Sequence, residues 1–284
     1  MITPILPLDE LPNPVQFYKE FWNKKPFIIK NAIDDEIMGG LITADELAGL
    51  SLEEDIRSRI VQAGKWSCEH GPFLEDKFTT LGEENWSLLV QNVEIHHPPT
   101  NKIIEPFQFS PSWLIDDVMV SYSAPGGGVG PHLDSYHVFL IQGTGKRRWK
   151  IGREAIRNEK YIDNLDLKIL EDDYLGETYD VEQGDVIYIP PYFPHTGETL
   201  EEALTFSIGF LGPSLSELLV EYGHYIEEQA EINKRYDGNQ LNVASSGDQM
   251  SAGELNNFRT TLTNAIGSDH FEKWLKGYFS NNED

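Results

Sequence analysis

Between about residue 113 and residue 212, apolar side chains come in short runs and alternations, broken by turn-forming clusters at 125–128, 143–145 and 183–185. Short strands at that spacing predict a mainly β domain built as a double-sheet jelly roll. Residues 1 to about 110 are mixed. The stretch 15–22 reads as a short amphipathic helix that stops before Pro26, residues 27–30 as a strand, and residues 56–61 and 86–91 as two more. After Pro213 the period changes. Ser214 with Glu217 and Ser251 with Glu254 have the spacing of capping boxes. Leu255, Phe258, Leu262 and Ile266 fall near one helical face, and Phe271, Trp274, Leu275 and Phe279 mark a last helix over 270–279. Residues 238–253, rich in Gly, Asn and Ser, read as a flexible connection. The expected organisation is a jelly-roll domain over 1–212 with helix and strand additions at its start, then a helical region over 213–284. An apolar helical stripe outside a barrel must bury itself somewhere, and pairing into a homodimer is the expectation.

Strand parity sharpens the candidate chemistry, because successive side chains point to opposite faces. In Pro131-His132-Leu133-Asp134, His132 and Asp134 share a face and Leu133 points away. With His195, after Pro194, they make the two-imidazole, one-carboxylate set that suits mononuclear Fe(II) and leaves the opposite coordination positions open. Parity in 117–123 aligns Asp117, Met119, Ser121 and Ser123. In 146–151, Arg147, Trp149 and Ile151 share one face, while Lys146, Arg148 and Lys150 share the other. The face with Trp and Ile is the buried one, so Arg147 points inward. A buried arginine is costly unless an anion meets it. A ligand carboxylate gripped bidentately is the expected partner. Ser121, Ser123, Thr205 and Ser207 are available as hydroxyl donors to the same anion.

Composition narrows the setting. A chain of 284 residues buries a substantial core. Cys68 is the sole cysteine, so no disulfide forms within the chain, as suits a reducing compartment. The first residues lack the features of a secretory signal, and no run approaches 18 apolar residues, so neither secretion nor a membrane span is expected and a cytoplasmic location is. The formal net charge of −25 argues against direct nucleic-acid binding and favours a basic partner.

The run from Val120 to Asp134 and that from Val138 to Trp149 resemble the JmjC-type 2-oxoglutarate oxygenases of the cupin fold. Within these, the chain is most similar to the bacterial ribosomal oxygenases that hydroxylate an arginine of a large-subunit ribosomal protein. Further likeness lies in residues 17–32, 70–73, 85–91, 185–195 and 271–275. The resemblance implies Fe(II) on His132, Asp134 and His195. It also implies the distal carboxylate of the co-substrate 2-oxoglutarate on Arg147, with a serine of the pair Ser121 and Ser123 assisting. It implies a basic ribosomal protein as substrate and supports the homodimer. Members of this kind often continue into a winged-helix-like domain, whereas the sequence runs to Asp284.

Two other readings stay open at this point. One is the same chemistry on a histidyl or asparaginyl residue or a small molecule; the other is a cupin metal protein without oxygenase activity. The second has no use for an inward Arg147. Asp117 is a candidate partner for a substrate guanidinium, set against the plainer reading of a solvated strand-end aspartate. Tyr122, Tyr136 and Trp113 are candidates to line the slot. His137 has the wrong parity for the iron, and the pair His96 and His97 reads as a loop. His70, His224, His270 and Cys68 read as structural or surface residues. Residues 126–130 read as a turn that lets backbone approach the site, since no phosphate-binding Lys-Ser/Thr follows.

Overall fold

The computed structural model describes residue 5 and residues 7–229, 231–238 and 250–280. The connection expected over 238–253 lies mostly outside the described residues. The chain forms two compact units, Met1–Leu211 and Gly212–Asp284.

In the first unit the strands are β1 (Pro7–Leu8), β2 (Phe27–Ile29), β3 (Ser58–Gln62), β4 (Ser67–His70), β5 (Trp86–Val90) and β6 (Ile115–Ser123). They continue with β7 (His137–Gly152), β8 (Gly176–Val181), β9 (Val186–Ile189) and β10 (His195–Phe210). Their order is β1-β2-β9-β7-β10-β6-β5-β3-β4, with β8 paired to β7 off this path. The two 16-residue strands, β7 and β10, make the jelly roll. They pair antiparallel along most of their length, with register shifts between Thr199 and Thr205. The first part of β7 lies against β9 and its second part against β8. The second part of β10 lies against β6. Each long strand therefore changes neighbours along its length within one ten-stranded sheet, and the register shifts mark where it bends.

Burial explains the pattern. Strands β2, β5 and β9 are buried at every position, so they read as apolar runs rather than alternations. The main core sets Phe17, Phe27, Phe107, Phe139, Phe206, Phe210 and Tyr188 among aliphatic side chains in one cluster. The helix expected over 15–22 is instead one α-turn, Pro14–Gln16, capped by the Asn13 side chain, followed by a π-turn, Phe17–Phe21. The wider turn still drives Phe17 and Phe21 into that core. His96 closes a short helix, Val93–His96, rather than sitting in a loop. His97 bonds Thr100 at 2.8 Å through Nδ1. His137 is buried, stacked on Trp22 at 3.5 Å and hydrogen-bonded to the Tyr188 hydroxyl at 2.7 Å, which accounts for it structurally.

In the second unit, helices Leu215–Glu228 and Ala252–Ile266 start on complete capping boxes at Ser214 and Ser251. Tyr222 joins them to the helix Asp269–Ser280: its hydroxyl donates to the Ala265 carbonyl at 2.9 Å, and its ring packs on Phe271 and Trp274. Leu255, Phe258, Leu262 and Ile266 are all exposed. No described helix is long and apolar enough to cross a membrane.

Candidate active site

His132 and His195 are brought together by their own backbones. The His132 amide donates to the His195 carbonyl at 3.0 Å, and the His195 amide donates to the His132 carbonyl at 3.1 Å. The Tyr192 amide holds the Asp134 carbonyl at 2.8 Å. The segment of His132 and Asp134 is not a regular strand as expected: it makes one isolated bridge, and β7 begins only at His137. It remains extended enough to keep both side chains on one side. Ligand atoms of His132, Asp134 and His195 lie within 4.8 Å of one another.

Both rings are oriented through Nδ1, which contacts the Gly130 carbonyl at 2.9 Å in His132 and the Phe193 carbonyl at 3.0 Å in His195. A carbonyl only accepts, so each Nδ1 carries the proton and each Nε2 presents a lone pair. Gly130 sits at φ +78°, a left-handed conformation a side chain would resist, and its carbonyl thereby faces His132. Nε2 of His195 is 3.5 Å from Oδ2 of Asp134. Burial pushes the His132 pKa down to about 4. Burial would raise that of Asp134, but the His195 side chain and the His132 charge hold it at about 2. Two imidazole Nε2 atoms and a carboxylate converge on one point. The donor set thus fits a divalent metal with open coordination positions.

A cavity of about 390 Å³ opens beside the triad. Arg147, 4% exposed, reaches into it. Its Nη1 donates to Thr205 Oγ1 at 3.2 Å and its Nη2 to the Gly197 carbonyl at 3.3 Å, while Nε is buried without a partner. The guanidinium lies 4.7 Å from the Trp149 ring centroid. Gly197 is small of necessity: a Cβ there would stand 2.8 Å from Arg147 Nη2 and 2.9 Å from the Trp149 ring. Burial lowers the Arg147 pKa to about 10, so it stays a cation at neutral pH. Only neutral acceptors meet it, which leaves a buried charge ready for an anion.

Ser121, Ser123, Thr205 and Ser207 all line the same cavity. Ser121 Oγ makes a long contact with the Thr205 carbonyl at 3.5 Å, and Ser123 Oγ shares a hydrogen bond with Ser87 Oγ at 2.7 Å. Asp117 and Tyr136 line it too. The solvated strand-end reading of Asp117 is wrong: its Oδ2 is buried without a hydrogen-bond partner. Burial, then the charges of Asp116 and Glu94, push its pKa up to about 6. Tyr122 turns away to pack against Trp86, and Trp113 is outside the cavity lining. Trp149 and Arg59 line the cavity and were not singled out as site residues. The signal for both was parity, with Ile151 for the first and with buried Val61 for the second.

A jelly roll bearing two imidazoles and one carboxylate, with a buried arginine in the adjoining cavity, defines the mononuclear-metal oxygenases of the JmjC type. The JmjC domain family matches residues 102–218. The chain is 39% identical over 267 residues to the Escherichia coli ribosomal protein uL16 3-hydroxylase, covering 93% of this chain and 70% of that one. It is 36% identical over 218 residues to a probable ribosomal oxygenase of Haemophilus influenzae, covering 75% of this chain and 53% of that one. The crystal structure of E. coli YcfD superposes with a TM-score of 0.81 at 37% identity, over 95% of this chain and 72% of that one. Another structure, of that ribosomal oxygenase with cobalt and 2-oxoglutarate, gives a TM-score of 0.78 at 37% identity, over 96% and 72%. The chain belongs to the JmjC-type ribosomal oxygenase family.

Proposed function

We propose that this protein is an Fe(II)- and 2-oxoglutarate-dependent hydroxylase acting on an arginyl side chain of a large-subunit ribosomal protein of the uL16 kind. When bound, iron with 2-oxoglutarate and dioxygen supplies an oxidant that inserts one oxygen atom into an unactivated C–H bond, releasing succinate and carbon dioxide. The chain's own residues bind, orient and exclude water. His132, Asp134 and His195 would hold the metal. Arg147, with Thr205, Ser121 and Ser123 near it, would take the distal carboxylate of the keto acid. No general base is needed.

Asp117 carries the choice of arginine. It is a partly buried carboxylate that Gln91 and the Asn92 amide already bond, with its Oδ2 buried and unmet in the cavity that the metal triad lines. Such a group calls for a cation with several donors, and a guanidinium supplies five. Tyr136, on the same wall, offers a ring for stacking. A histidyl or asparaginyl substrate would leave that carboxylate poorly matched. The net charge of −25 favours approach of a basic protein, and the cytoplasm, where ribosomes reside, is the expected location. The exposed stripe of Leu255, Phe258, Leu262 and Ile266 is the surface through which two copies would pair, and sedimentation of a Phe258→Asp variant checks it.

The direct test is mass spectrometry of uL16-type peptides after incubation with iron and 2-oxoglutarate. One added oxygen on an arginine, with stoichiometric succinate, is expected; oxygen on another residue would overturn the arginyl reading. Asp117→Asn is expected to raise the peptide KM by roughly 30-fold or more, as loss of one partner of a buried charge pair costs about 2 kcal/mol or more. Because Asp117 titrates near 6, the wild-type peptide KM should rise as pH falls through about 6, and that of Asp117→Asn should not. The folded pKa lies above the ordinary 3.8, so the folded state binds this proton more tightly than the unfolded one. The ionised group is therefore a net cost to stability, present in full above pH 6 and gone below about 4. After discounting for its partial solvation, Asp117→Asn should stabilise the protein at pH 7 by on the order of 1–2 kcal/mol. Calorimetry would show a melting point a few degrees higher.

A further inference from the structure

Arg59 is a cation in the cavity for which the reading above has no use. On β3, Ser58 and Ile60 share one face, and Arg59 and Val61 the other. Strand register carries a single row across the sheet from Arg59 to Leu89, Ser121 and Thr205. All four side chains line the cavity beside the metal triad. Arg59 Nε is buried with no hydrogen-bond partner. Among the described residues the guanidinium enters no ion pair. A partly buried cation without an acceptor is costly, and an arginine can only donate. It is waiting for an oxygen.

The position says which oxygen. Arg59 lines the cavity together with His132, Asp134 and Tyr136. Asp117 lies four residues before Ser121 on β6, and β6 is two strands away from β3. At about 3.3 Å per residue and about 4.8 Å between strands, the Cα atoms of Arg59 and Asp117 are roughly 16 Å apart. An extended arginine reaches about 6 Å from Cα to guanidinium on ordinary bond lengths. Two arginines, Arg59 and the one in the substrate, therefore span most of that gap. With its guanidinium on Asp117, the target residue has its own main chain within reach of Arg59.

We propose that Arg59 is a specificity residue that donates to a main-chain carbonyl oxygen next to the target arginine, so that the cavity reads a polypeptide at two points, backbone and side-chain tip. The assignment rests on the arginyl reading of the site. A carbonyl suits the role better than an acidic side chain, because a basic substrate segment offers the former at every residue.

Calorimetric binding of an arginyl uL16-type peptide, together with steady-state kinetics, tests it on the full chain. Arg59→Met should weaken peptide affinity and raise the peptide KM by at least tenfold. The KM for 2-oxoglutarate and the binding of cobalt, followed by its absorption, should stay unchanged and show that the variant is folded. Arg59→Lys should recover part of the affinity. Replacing the amides flanking the target with thioamides, one at a time, should cost the wild type affinity at one position and cost Arg59→Met nothing there. Equal peptide affinity in wild type and Arg59→Met would overturn the proposal alone. A loss that tracks an acidic neighbour in the peptide, with no thioamide effect, would overturn the carbonyl assignment. A wild type that binds no arginyl peptide would overturn the arginyl reading and this inference with it.

Discussion

Asp134→Ala should lose the metal and all turnover together, by at least about 10³-fold, while leaving the fold in place. Asp134 is the one negative charge among three converging donors, and its removal leaves two imidazoles with no anion to offset a dication. Outer partners of metal ligands alone cost 10- to 100-fold when removed, so a ligand itself costs more. The backbone pairing of His132 with His195 does not depend on the Asp134 side chain, so the two rings stay in register. Melting separates loss of the site from loss of the fold. Metal that binds only the folded state adds RT ln(1 + [M]/Kd) to stability, about 2.7 kcal/mol at a hundredfold excess over Kd. Cobalt should therefore raise the melting point of the wild type and leave Asp134→Ala unmoved. An Asp134→Ala protein that still binds cobalt with native affinity would sink the assignment of the triad.

The jelly roll was legible from its apolar runs and from the turns at 125–128 and 183–185. The turn expected at 143–145 lies inside the 16-residue β7, so the strands that make the roll are longer than the punctuation implied. The parity of Arg147 with Trp149 and Ile151 likewise pointed to an inward guanidinium, and the structure leaves it 4% exposed. What parity could not supply is which inward residues share a cavity and what covers them. Asp117 sits near the start of β6, where sequence alone suggests water; its burial comes from chain elements distant in sequence. Tyr122 and Trp113 carry the right rings but the wrong positions, and only tertiary packing separates them from Tyr136. Arg59 enters the site through the pairing of β3 with β5, a long-range contact that no local pattern encodes. The π-turn at Phe17–Phe21 shows the same limit on a smaller scale, since the apolar spacing that reads as a helix does not say how tightly it is wound.

Arg147→Met should separate co-substrate binding from stability, in opposite directions. The guanidinium is buried, its Nε has no partner, and its two bonds go to a hydroxyl and a carbonyl. If it grips the distal carboxylate of 2-oxoglutarate, truncation loses a desolvated charge pair worth about 2–5 kcal/mol, a rise in the 2-oxoglutarate KM of roughly 30- to 4,000-fold. Arg147→Lys should recover little, because a point ammonium cannot reproduce the fork. The stability effect has the other sign. Burial depresses the folded pKa to about 10, below the ordinary 12.5, so the charged form is disfavoured by folding at every pH below about 10. That cost is on the order of 3 kcal/mol and relaxes only as pH rises past 10. Without ligand, Arg147→Met should thus melt several degrees above the wild type at pH 7. With metal present, 2-oxoglutarate or a non-reactive dicarboxylate analogue should raise the wild-type melting point and spare the variant, so the order of the two curves inverts at high ligand. Parallel curves, with the analogue stabilising both proteins equally, would show that the carboxylate is held elsewhere in the cavity, and the hydroxyls of Ser121, Ser123 and Thr205 would then be the next groups to remove.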